Sequence, residues 1–414
     1  MEKFRAYMQR GERQSVIRIL LKRPSSTVIK EEMVPGVSTL SSAACSTFDA
    51  VGSTLPYLFK PWEWKQEAWT HENIPNLKGK VALVTGGTGG IGLETCYSLV
   101  RHGAHVFLGA RSELKFKAAL ETIRTRLSLE PLPNQVEGED EIALGKIEYL
   151  SCDLSTMDQA DQAAKAFLQA NTQRLDIFIA CAGKGSGKSE LMEDKVESFM
   201  ATNTLNHMVM LRRLIPSIRK TSHEITSGSS RIIFVSSCAH RWCSLPWPIG
   251  SPATFESWQH VNDEKRSSNN LYSQSKLAQI LLSSRLNQEL QALDSDRQGG
   301  CNIACVSLHP GEINNEFVQR NFLREVSQFH ILKLAQSYPA ILQLVLLNAM
   351  EGARTCLFAA TSSQIDKNKW SGKYLTYPCQ LGRPSEAAQD KEMEERCWQL
   401  IQTKIYEKFG QMQW

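Results

Sequence analysis

From residue 80 onward the chain alternates two hydrophobic patterns. Short apolar runs rich in β-branched residues fall at 81–84, 106–108, 147–150, 177–180, 232–235 and 303–306. Between them lie longer stretches with helical spacing, as at 90–101, 113–127 and 159–170. A strand that is apolar at every position has both faces buried, and alternation with helices implies a parallel sheet covered on both sides. The pattern predicts a doubly wound α/β architecture. No internal repeat interrupts it. The acidic, proline-containing stretch 130–141 reads as a solvated loop between the second helix and the third strand.

The chain before residue 73 follows other rules. Residues 1–30 hold eight Lys/Arg against Glu2 and Glu12, with apolar positions from Phe4 to Leu21 that suit an amphipathic helix; Pro24-Ser25-Ser26 ends it. Residues 37–56 read as linker, and 57–64 form an aromatic cluster containing Trp62 and Trp64. The expected division is a basic extension at 1–72, the α/β domain at 73–383 and a C-terminal helix at 384–414.

The net charge of only +4 argues against a globally basic nucleic-acid binder. Eleven cysteines scattered through apolar segments of a 414-residue chain read as reduced thiols rather than a disulfide scaffold. Cys238/Cys243 and Cys301/Cys305 lack a second ligand pair at zinc spacing, so no metal is expected. The best membrane-span candidate, 331–350, is interrupted by Lys333, Gln336, Pro339 and Gln343; it reads as a buried or pocket-covering helix pair.

The first strand runs into Thr85-Gly86-Gly87-Thr88-Gly89-Gly90-Ile91-Gly92, where a helix begins. Glycines let the backbone approach a pyrophosphate, and the helix N-terminus offers it free N–H groups. An NAD site carries a carboxylate at the end of the second strand. Here that position reads Ala110-Arg111, which suits a 2′-phosphate and hence NADP(H), although Arg111 can equally be an ordinary surface arginine. Asp153-Leu154, after the third strand, suits an adenine contact, or Asp153 caps the next helix.

Tyr272 and Lys276, at i and i+4, share one face of a helix read as opening at Tyr272 and running to Leu290. A neighbouring cation favours the phenolate of a tyrosine. Ser236-Ser237 ends the fifth strand, Thr202 to His207 lies in a long helix ending near Lys220, and His309-Pro310-Gly311 follows the sixth strand. In this order the motifs resemble the short-chain dehydrogenase/reductase family over roughly residues 79–376. The resemblance implies a Rossmann-type fold with Gly86, Gly90 and Gly92 as cofactor glycines. It implies a tetrad of Asn203, Ser237, Tyr272 and Lys276: tyrosine as general acid/base, lysine holding the nicotinamide ribose and lowering the tyrosine pKa, serine polarising the substrate oxygen, asparagine supporting a relay water. Thr88, Ile91, Ala182, Pro310, Gly311 and Asn315 join the expected cofactor contacts.

Ser236-Ser237-Cys238-Ala239-His240, the long stretch before Tyr272, Glu351-Gly352-Ala353 and Ser371-Gly372-Lys373-Tyr374 resemble the retinol dehydrogenase and WW-domain oxidoreductase branch. That branch implies lipophilic alcohols and carbonyls as substrates, and a peripheral place at the cytoplasmic face of the ER or on lipid droplets; otherwise the chain is expected in the cytoplasm. Substrate-pocket residues are expected in 238–269, with Trp242, Trp247 and Trp258, and in 316–350. Two departures stand out: Ala180-Cys181-Ala182-Gly183 where the family has Asn-Asn-Ala-Gly, and Asn315 where a threonine is usual.

Two other readings compete. Ala182-Gly183-Lys184-Gly185-Ser186-Gly187-Lys188-Ser189 matches a permissive P-loop, with Lys188 on phosphates and Ser189 on Mg²⁺. A chain of this fold can also bind nucleotide without turnover and act as a scaffold.

Overall fold

The computed structural model describes residues 69–131, 143–170, 174–225, 228–244, 252–295, 300–313 and 347–410. Residues 67–414 form one compact unit, and residues 1–66 lie outside the described residues. So do most of the acidic stretch 130–141, Trp247, Asn315 and nearly all of 316–350.

In chain order the main elements are β1 Val81–Thr85, α1 Gly90–Arg101, β2 His105–Ala110, α2 Glu113–Leu129, β3 Ile147–Ser151, α3 Met157–Ala170 and β4 Ile177–Ala180. A short helical turn Ser198–Met200 and a π-helical stretch Ala201–Leu205 lead into α4 Asn206–Glu224. Then follow β5 Ser230–Val235, a 3₁₀ segment Cys238–Ser244, α5 Ser268–Leu293, β6 Ile303–His309, α6 Ala349–Thr361, β7 Tyr374–Thr376, β8 Gln380–Leu381 and α7 Lys391–Phe409.

The strands form one eight-stranded sheet in the order β3-β2-β1-β4-β5-β6-β7-β8, parallel throughout except for β8. The architecture is the doubly wound one expected, enlarged by β7 and β8. Alternate residues of each strand enter opposite cores. Leu83, Phe178, Ile232 and Phe234 face α3, α4, α5 and α7, while Ala82, Val84, Ile179 and Ile233 face α1, α2 and α6. Burial on both faces explains why these strands read as unbroken apolar runs. Helix α7 joins the first core through Cys397, Trp398, Ile401 and Ile405.

Two helices differ from expectation. Tyr272 sits in the second turn of α5 rather than at its start: Ser267 is the N-cap, its hydroxyl accepting from Asn270 N at 3.2 Å. Residues 202–207 straddle the π stretch and α4 rather than lying in one regular helix.

The strand order reverses direction between β1 and β4, and a crevice opens there outside the carboxyl ends of β1 to β6. Its volume is about 710 Å³.

Candidate active site

The glycine loop after β1 is built by close contacts. Gly86 has φ +70°, and a Cβ there would lie 2.7 Å from Cα of Ala182 on the neighbouring strand's extension. A Cβ at Gly92 would lie 2.3 Å from the Gly86 carbonyl. Gly89 and Gly90, by contrast, face open space at the N-terminus of α1. Thr88, Ile91 and Ala182 line the crevice beside them. The cradle fits a pyrophosphate, because side chains are excluded where the loop closes and main-chain N–H groups stay accessible.

Arg111 lies exposed at the adenine end, with Lys115 on the same wall. Sequence reading missed Lys115, which looks like any surface lysine of an amphipathic helix. Its position in the first turn of α2, behind the Ser112 N-cap, was the available signal. Asp153 and Leu154 line the crevice next to them. Asp153 does not cap α3: its carboxylate accepts from Ser155 N at 2.9 Å and Ser155 Oγ at 2.6 Å, while Thr156 caps Gln159 N at 3.2 Å.

At the sheet centre Thr85 holds the main chain at Cys181 and Ala182. Its Oγ1 accepts from Cys181 N at 3.1 Å and Ala182 N at 3.0 Å, and it lies 2.9 Å from His207 Nε2. His207 Nδ1 faces the Asn203 carbonyl at 3.0 Å, so Nδ1 carries the proton and Nε2 accepts from Thr85. Burial lowers His207 to about 4, which keeps the ring neutral.

Asn203 belongs to the π stretch, a rare geometry frequent at functional sites. Its side chain pairs twice with the Lys184 backbone, accepting from N at 2.6 Å and donating to O at 3.1 Å, and donates to Ser275 Oγ at 2.8 Å. Its own carbonyl accepts from Gln279 Nε2 at 2.7 Å. Asn203 therefore holds the Gly183–Lys184 turn against α5.

Ser237 and Tyr272 meet through their hydroxyls at the crevice wall. Ser236 turns away, its Oγ donating to the Lys276 carbonyl at 2.7 Å, so the choice of the second serine agrees with the geometry. Lys276 Nζ donates to the Val235 carbonyl at 2.7 Å and to Gln279 Oε1 at 3.1 Å. Burial lowers Lys276 to about 8. The expected lowering of the tyrosine pKa is not what this geometry produces. Burial pushes the Tyr272 phenol above its ordinary value, and the downward pull comes from Ser237. The Lys276 ammonium lies 5.6 Å from the Tyr272 ring centre, engaged with Val235 and Gln279.

Pro310 and Gly311 line the far end. Gly311 has φ +93°, and a Cβ there would lie 2.4 Å from Leu347 Cδ1. His240 braces the site from behind: Nδ1 donates to the Ser237 carbonyl at 2.6 Å and Nε2 accepts from Ser385 N at 3.0 Å.

Two expectations are corrected. Trp242 and Trp258 do not line the crevice among the described residues, and Trp258 packs instead beside α7, with Lys404 Nζ 5.9 Å from its ring. The P-loop reading fails because no helix follows Ser189: the next helical turn starts at Ser198. Lys184 Nζ donates to the Lys188 carbonyl at 2.8 Å and Ser198 Oγ at 2.9 Å, and Ser189 donates to Glu197, so the string bonds its own segment.

Comparison with known proteins agrees with this layout. Residues 80–247 match the family model for short chain dehydrogenases. An uncharacterized oxidoreductase of Schizosaccharomyces pombe is 34% identical over 335 residues, covering 79% of this chain and 85% of the relative. The chain belongs to the short-chain dehydrogenase/reductase family. A short chain dehydrogenase/reductase of Colletotrichum higginsianum, dpchH, is 30% identical over 80% of this chain and 76% of its own length. Among solved structures, an uncharacterized protein from Mycobacterium paratuberculosis superposes with a TM-score of 0.55 at 23% identity, covering 82% of this chain and 98% of that one. The L-sorbose reductase of Gluconobacter frateurii, solved with NADPH and L-sorbose, gives 0.50 at 18% identity, covering 74% and 97%. These likenesses show the short-chain dehydrogenase/reductase fold. Its family's NAD(P) chemistry is compatible with the Gly86–Gly92 cradle described above.

Proposed function

We propose that this chain is an NADP(H)-dependent oxidoreductase that interconverts a lipophilic alcohol and its aldehyde or ketone, with Tyr272 as general acid/base. The observation that carries the reading is the meeting of the Ser237 and Tyr272 hydroxyls on a crevice whose other end holds Arg111 and Lys115. Bound NADP(H) would supply or accept the hydride. Burial keeps the Tyr272 phenol protonated at neutral pH, which suits donation to a carbonyl oxygen and so favours reduction. Ser237 shares that oxygen and orients it. The Lys276 ammonium, charged below about pH 8, fixes the tyrosine's helix against the end of β5 and would hold the nicotinamide ribose when the cofactor is bound.

Preference for NADP(H) rests on Arg111 and Lys115. The residues that the end of β2 and the start of α2 bring to the crevice include no carboxylate. The lipophilic substrate class rests on the branch resemblance and on residues 314–346, rich in leucine and isoleucine. Ile313 and Leu347, which flank this segment, pair beside the crevice, with Leu347 N donating to the Glu312 carbonyl at 2.8 Å. The basic arm and aromatic cluster of 1–64 support a peripheral place on the cytoplasmic face of the ER or on lipid droplets. No described helix is long and apolar enough to cross a membrane.

The test is NADPH oxidation by the full-length protein with a panel of long-chain and aromatic carbonyls and, for contrast, sugars. Turnover of the apolar carbonyls supports the reading. Tight NADPH binding with no turnover of any carbonyl would favour the scaffold alternative.

A further inference from the structure

Adjacent parallel strands β5 and β6 end side by side, Val235 opposite Leu308. Their carboxyl ends bring a side chain that follows β5 together with two from the end of β6 and its turn, which are distant from it in sequence. Cys238 follows Ser237, His309 is the last residue of β6, and Glu312 stands just beyond the Pro310-Gly311 turn. Cys238 Sγ lies 2.7 Å from Glu312 Oε1, His309 Nε2 lies 3.7 Å from the same oxygen, and the three donor atoms are all within 4.8 Å of one another.

His309 makes this more than a chance cluster. It is 4% exposed, and neither ring nitrogen has a hydrogen-bond partner among the described residues. A buried imidazole with both nitrogens unsatisfied costs free energy unless something else binds it. The Cys238 thiol faces the same space, directed at the Glu312 carboxylate. A bound cation deprotonates a coordinating thiol.

We propose that Cys238, His309 and Glu312 form a binding site for a zinc-class divalent cation at the edge of the catalytic crevice. One sulfur, one imidazole nitrogen and one carboxylate oxygen match the donor types that Zn²⁺ takes, and three protein ligands leave a fourth position for water or another oxygen donor. Binding exchanges the thiol proton, released to solvent, for the metal–sulfur bond. Thiolate and carboxylate together neutralise the ion's two charges. His309 and Glu312 line the crevice, which supplies the ion's path. The ion would join the backbone beside Ser237 to the Pro310-Gly311 turn. The site stands on its own donors, whatever the substrate of the crevice.

The experiment treats full-length protein with chelator, removes the chelator and titrates with Co²⁺ while recording absorbance, then displaces Co²⁺ with Zn²⁺. One equivalent should give tetrahedral d–d bands with a thiolate charge-transfer band, and Zn²⁺ should abolish both. Cys238→Ser should lose the charge-transfer band, Glu312→Gln should weaken Zn²⁺ binding by about tenfold or more, and Cys243→Ser should change neither. Glu312→Gln keeps the test decisive if the cysteine variant fails to fold. Absence of Co²⁺ binding by the folded wild type overturns the proposal, as does a thiolate band that survives in Cys238→Ser or wild-type Zn²⁺ affinity in Glu312→Gln.

Discussion

Lys276 donates from Nζ to the main-chain oxygen of Val235 at 2.7 Å, which ties α5 to the end of the strand that carries Ser237. The same ammonium approaches Gly183, where a Cβ would lie 3.8 Å from Nζ and 3.1 Å from Asn203 Oδ1. The lysine thus links α5 to the end of β5 and lies beside the Gly183 turn. Its folded pKa of about 8 lies below the ordinary 10.5 because burial disfavours the cation. The charge is present below about pH 8 and lost above it. Carbonyl reduction should therefore fall as pH rises through about 8, measured as kcat/KM against pH. Lys276→Met should be slow at every pH and lack this fall. In stability the sign is opposite: the unfolded chain keeps this proton up to 10.5, so the group contributes increasing stability from pH 8 to 10.5.

Arg111→Asp should shift preference from NADPH toward NADH. Removing a charge-assisted contact costs about 1.5–3 kcal/mol, roughly ten- to a hundredfold in affinity. Lys115 on the same wall leaves a remainder, so the Arg111→Asp, Lys115→Ala double variant should shift further. Fluorescence titration with both cofactors checks this; a wild type that prefers NADH contradicts the assignment.

Thr85→Val keeps the shape but removes the acceptor for Cys181 N and Ala182 N and the donor to His207. Cys181 N keeps the Ile179 carbonyl at 3.0 Å, but Ala182 N loses its acceptor, and an amide left so costs about 1–3 kcal/mol. Urea denaturation should show a clearly lower midpoint, and an unchanged midpoint would show that Thr85 does not hold the sheet centre.

The legibility of these features follows from their range along the chain. The central strands are readable because burial on both faces leaves no polar position in a run such as Ile232-Ile233-Phe234-Val235, whereas the edge strand β3 is only partly buried and carries Glu148. β7, with only Tyr374-Leu375-Thr376, is too short to show a period. The start of α5 hid in the polar string Arg266-Ser267-Ser268-Asn269-Asn270, where several residues could cap. The π stretch is invisible to a 3.6-residue pattern over five residues. Tyr272 and Lys276 are neighbours on one helix, but that spacing is common by chance and points to chemistry only in company with Ser237, Asn203 and the glycine loop. Cys238, His309 and Glu312 were not legible, since only the β5–β6 register brings them together. A zinc signal in sequence takes the form of local cysteine or histidine pairs, and this set has none.

The extension at 1–64 should act as a surface anchor. Basic residues near an anionic membrane contribute about 1 kcal/mol each, so several hold a protein peripherally. Full-length protein should pellet with membranes and be released by high salt, whereas a chain starting at Asn73 should stay in the supernatant. Equal partitioning of the two forms removes the arm from that role.

The central claim is that Tyr272 transfers the proton. The direct measurement is Tyr272→Phe, compared with wild type for NADPH affinity by fluorescence titration and for carbonyl reduction under saturating NADPH. The ring still packs near Phe199, their centres 6.4 Å apart in the native protein, so the fold and the cradle are retained. NADPH affinity within about twofold of wild type, with reduction lowered by about 10²–10⁴ or more, is the expected result. Reduction within a few-fold of wild type would contradict the account.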